Sequence, residues 1–78
     1  MSLDELAKKG RISELKQELA KLDALVDSEL VALKMLLLPS YDAWEYDDKT
    51  IELRSQNLVR YIRRAKEIKA KLSELEDG

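Results

Sequence analysis

Residues 36–49 read LLLPSYDAWEYDDK, and the fold turns on how this stretch divides the chain. Pro39 lacks an amide proton and its ring clashes with the preceding turn, so a helix arriving from the N-terminal side stops there. Leu38, the residue before it, is biased toward extended backbone. Eight residues later, Asp47 or Asp48 offers a carboxylate suited to capping a new helix, with Thr50 as a competing cap. The stretch therefore separates two helices. It also gathers Tyr41, Trp44 and Tyr46, three of the four aromatic residues in a chain without Phe, and four of the sixteen acids.

On the N-terminal side, Ile12, Leu15, Leu19, Leu22 and Val26 recur in steps of 3 and 4, the seam of an amphipathic helix packed on a partner helix. The pattern then thickens through Leu25, Leu30, Val31, Leu33 and residues 35–38, a band wider than one helix can cover. Continuity through Asp27 and Ser28 is favoured, with a capped break there as the alternative. Ser2 and Glu5 have capping-box spacing, and Gly10 interrupts the pattern as a C-cap or a kink. Helices are thus predicted at about 3–9 and 12–37.

On the C-terminal side, Ile51, Leu58, Tyr61, Ala65, Ile68, Leu72 and Leu75 form a second seam, predicting a helix at about 49–75 after a connection at 39–48. Arg54 fills the seam position between Ile51 and Leu58. It is expected to pair with a seam acid across the hairpin and hold its register. Glu74, Glu76 and Asp77 oppose the helix dipole, so the last turn is expected to fray.

These readings predict one all-α domain over residues 1–78: an antiparallel helical hairpin, completed as a small three-helix bundle by residues 3–9 or by dimerisation. Seventy-eight residues leave room for one core only. A chain this short buries only about 60% of its unfolded surface, which makes self-association attractive. Charged residues make up 38% against a usual figure of roughly 25%, as expected of helices with solvated outer faces.

Cys and His are both absent, which removes disulfides, thiolate chemistry, nearly every zinc site and the commonest general acid–base group. No Gly-rich loop or convergent nucleophile accompanies the acids, so neither a catalytic assembly nor a cofactor is expected. The polar start MSLDELAKKG and the lack of Cys point to a cytoplasmic or nuclear chain. The longest apolar run, residues 35–38, is too short to cross a bilayer.

Charge is uneven. Residues 40–50 carry −3 and residues 51–78 carry +2, with seven basic side chains against the single acid Glu67 between Arg54 and Lys71. Arg60, Arg63, Arg64 and Lys71 are expected on a basic face opposite the seam, suited to phosphates or an acidic partner, or simply solvated. The low pI of 5.2 argues against nucleic acid as the main partner. The loop aromatics either plug the open end of the hairpin, polar tips outward, or grip a partner; the plug is the favoured expectation.

One string has a family likeness. Residues 54–67, RSQNLVRYIRRAKE, resemble the second helix of KIX domains, where an Arg, then Asn-Leu-Val, then Tyr and a basic pair recur. As in KIX, an apolar helix ending at a Pro precedes it, here ELVALKMLLLP at 29–39. The resemblance implies a three-helix coactivator module that takes amphipathic activation-domain helices into a hydrophobic groove lined by Leu58, Tyr61 and Ile62. RISELKQELA, residues 11–20, would stand in for the third helix in permuted order. LVRYI, residues 58–62, more faintly resembles the final helix of BAG domains, exchange modules for heat-shock chaperones, whose acidic, Arg and Gln contacts are replaced here by Lys34, Ser55 and Arg63.

The expected function is a non-enzymatic protein–protein interaction module. Its groove, formed by Leu33, Leu37, Tyr41, Trp44, Leu58, Tyr61 and Ile62, would receive an amphipathic helix from a partner or from a second copy in a homodimer. The alternatives are an engineered helical scaffold without a native partner, and a nucleic-acid-binding helix using the basic face.

Overall fold

A computed structural model describes residues 2–77 as two long antiparallel helices. Helix α1 spans Leu3–Leu37, a single 3-10 turn spans Ala43–Glu45, and helix α2 spans Asp48–Asp77. The rod measures 63 × 16 × 15 Å, with a radius of gyration of 18.1 Å. A compact chain of this length would have about 11–12 Å.

Each helix starts on a side-chain cap. Ser2 Oγ accepts from the Glu5 amide at 3.2 Å. Asp47 Oδ1 accepts from the Thr50 amide at 3.1 Å, and its Oδ2 accepts from the Thr50 hydroxyl at 2.6 Å. Both caps satisfy amides that have no partner inside the helix. Helix α1 ends where Pro39 requires it, with the last amide, that of Leu38, donating to Lys34 O at 2.8 Å.

Three expectations need correction. Gly10 does not end a short first helix: no described residue has positive φ, and α1 runs through it unbroken. A mid-helix Gly loses only about 1 kcal/mol relative to Ala, less than the stop would lose in hydrogen bonds and in the seam contact of Ile12. Residues 3–9 therefore extend α1 rather than folding back as a third helix. The last turn also keeps its helical form to Asp77, where Glu76 meets Lys16 of α1 at 3.3 Å.

The core occupies one half of the rod. Leu15, Leu22, Ile68 and Leu72 are its buried hydrophobic residues, with Ile12, Leu19, Tyr61, Ala65 and Leu75 packed against them. Apart from Leu22 and Tyr61, near the middle of their helices, all belong to the half away from the connection. Leu15, Leu22, Glu29 and Leu36 form one row at seven-residue spacing, and in the connection half the buried member of that row is Glu29.

Candidate interaction surface

Two ion pairs fix how the helices stand against each other. Arg54 Nη1 donates to Glu29 Oε1 at 3.2 Å, and Arg64 Nε donates to Glu18 Oε1 at 3.0 Å. The seam cation Arg54 thus meets a seam acid on α1. The pair is lopsided: Glu29 is 6% exposed and its Oε2 has no hydrogen-bond partner, while the Arg54 side chain is 42% exposed. A buried carboxylate oxygen without a donor is destabilising, because the hydration it lost is not replaced.

Arg64 is not on a free outer face. It spans the seam to Glu18 with a second contact from Nη2 at 3.3 Å, and Nη1 donates to Glu67 at 3.2 Å. Its hydrogen bonds to Glu18 and then to Glu67 raise its pKa above the ordinary guanidinium value. The basic face is reduced to Arg60, Arg63 and Lys71, all exposed. Glu52 and Glu67 line the same open depression as Arg60 and Arg63. That mixture of signs weakens the field a phosphate backbone would meet.

The connection is held by Tyr46. Its hydroxyl donates to Pro39 O at 3.0 Å and accepts from the Tyr41 amide at 3.3 Å. The two tyrosine rings meet edge to face with centroids 5.4 Å apart, the arrangement that suits aromatic quadrupoles. Asp47, whose carboxylate accepts from the Thr50 hydroxyl and amide, has its pKa drawn below the ordinary value. The three aromatics therefore do different things. Tyr46 is half-buried and staples the loop, whereas Trp44 is 82% exposed and plugs nothing.

The seven residues expected to line a groove are spread along the rod. Leu33 and Leu58 are half-buried in the seam, Tyr61 packs on the core, and Leu37, Tyr41, Trp44 and Ile62 are exposed. The ion-pair register places Ile62 beside the stretch of α1 near Lys21. That point is about 24 Å along the helix from Leu37. A shallow cleft does lie under the connection, lined by Met35, Leu36, Pro39, Tyr41, Glu45 and Asp47.

Apart from Tyr61, the groove residues share membership of an apolar half without a buried core. Among the described residues, eleven of the thirteen exposed large apolar side chains lie between Leu25 and Ile62, and no large apolar side chain in that span is buried. Val31, Met35, Leu38, Leu53 and Val59 belong to this surface although the groove reading omitted them. Their signal was the apolar band at 30–38, too broad for a single partner helix. Among the described residues, no helix is long and apolar enough to cross a membrane.

No protein-family model, no curated protein and no solved structure matches the chain.

Proposed function

We propose that the chain is a non-enzymatic helical interaction module whose apolar connection half takes up an amphipathic helix, from a second copy or from another protein. The observation that carries this reading is the division of the rod: a packed core at one end, and exposed Leu, Val, Met and Trp side chains at the other. Exposed apolar side chains gathered in one half of a chain in this way point to a site of association. The KIX-like residues 54–67 lie in α2 and point the same way, toward a module that receives a helix. A cytoplasmic or nuclear setting goes with the lack of Cys.

The test uses two exposed positions, Val31→Glu and Leu38→Glu. Neither side chain contributes to the core, so helicity by circular dichroism should be unchanged. Self-association in sedimentation equilibrium, or binding of amphipathic helical peptides by calorimetry, should be lost. A wild-type chain that stays monomeric at every concentration and takes up no such peptide would refute the reading.

A further inference from the structure

The outer side of α1 in the connection half has a repeat of its own. Asp27, Val31, Lys34 and Leu38 follow one another at steps of 4, 3 and 4, with Leu30 and Leu37 beside them. At 100° per residue this row lies roughly opposite Glu29, the residue that faces α2. Val31 is 57% and Leu38 78% exposed. No ion pair within the described chain involves Asp27 or Lys34. Above Asp27, the same side continues with the exposed small residues Ala24 and Ala20.

This row is its own complement under a two-fold rotation. An axis between Leu30 and Val31 sets Asp27 against the partner's Lys34 in both halves of an antiparallel pair. Val31, half a residue from the axis, then lies at the centre of the contact in both copies. A parallel pair in register would instead put Asp27 on Asp27 and Lys34 on Lys34. The signs therefore select the antiparallel arrangement, and with it the two-fold symmetry usual among homodimers.

The elongated rod exposes more surface than a dimer of standard size removes. The chain exposes 6192 Å². A compact monomer of its mass, 9.0 kDa, would expose about 4,900 Å², so about 1,300 Å² is in excess. A standard interface covers about 800 Å² per partner. We infer that the occupant of this surface is a second copy of the chain, docked antiparallel along the outer face of α1 with Asp27 opposite the partner's Lys34. The inference rests on the interaction-module reading and narrows it to one partner and one register.

Charge exchange at two exposed positions tests it by sedimentation equilibrium. Asp27→Lys and Lys34→Asp each replace two attractive contacts by two repulsive ones. Each variant alone should dimerise more weakly, by roughly tenfold at low salt and less as salt is added. Mixed one to one, the two variants should recover wild-type affinity as a heterodimer, because every contact is again between opposite charges. Circular dichroism verifies that both variants remain helical. Variants that dimerise as tightly as wild type would overturn the inference, as would weakened variants that the mixture does not rescue. A monomeric wild type that binds an amphipathic peptide would overturn the dimer while leaving the module reading intact. A wild type that does neither removes both.

Discussion

Replacing Glu29 by Leu should stabilise the hairpin. Glu29 continues the buried row of Leu15 and Leu22 at seven-residue spacing, so a Leu there enters an existing apolar seam. Burying that side chain contributes about 2 kcal/mol. Removing the partnerless Oε2 removes a desolvation penalty of about 1–3 kcal/mol. Against this stands the single hydrogen bond from Arg54, made from a side chain 42% exposed. Screening by solvent holds its contribution to about 1 kcal/mol. The net gain is about 2–4 kcal/mol, which for a chain of this size raises the thermal midpoint by roughly 10 °C or more. The converse change, Arg54→Met, strands the carboxylate and should destabilise by about 2 kcal/mol, and the double variant should recover that loss. Thermal and urea unfolding followed by circular dichroism measure all three. A Glu29→Leu chain less stable than wild type by about 1 kcal/mol or more would show that the carboxylate stabilises the seam, and the reasoning would fail.

Gly10→Ala should raise stability by about 0.5–1 kcal/mol in the same unfolding assay, since the helix passes through this position and a Cβ there meets open space; a loss would mean that the helix breaks at Gly10. Tyr46→Phe removes the hydroxyl that joins Pro39 and Tyr41 and should destabilise by about 1 kcal/mol. Trp44→Ala should change chain stability by less than about 0.5 kcal/mol because the indole is exposed; the reverse order of these two effects would contradict the division of labour in the connection. Asp47 is held below its ordinary pKa by Thr50, so its folded state favours the carboxylate. That contribution is present above the ordinary Asp pKa and is lost as pH falls through the lowered value. Asp47→Asn should keep a capping oxygen but lose this acid dependence, read as a flatter decline of thermal midpoint on acidification. An unchanged acid limb would count against it.

Features that depend on neighbours along the chain are legible in residue order alone. Pro39 has no amide proton wherever it sits, so the end of α1 was legible. Asp47 lies three residues before Thr50, within reach of its amide, so the start of α2 was legible as one of three choices. Steps of 3 and 4 among Leu and Ile showed both seams, and the excess of apolar residues at 30–38 showed that one seam was not enough. The remaining features come from how the two helices pack. Gly10 stays helical because α1 continues along α2, a contact its own residues do not announce. Arg64 left the basic face because the antiparallel register brings Glu18 within 3.0 Å. Trp44 faces solvent, while Tyr46 ties the connection to Pro39. Helix ends and periodicity follow from local backbone chemistry, whereas which side chains are buried, paired or left in water depends on the register of two helices that meet far apart in sequence.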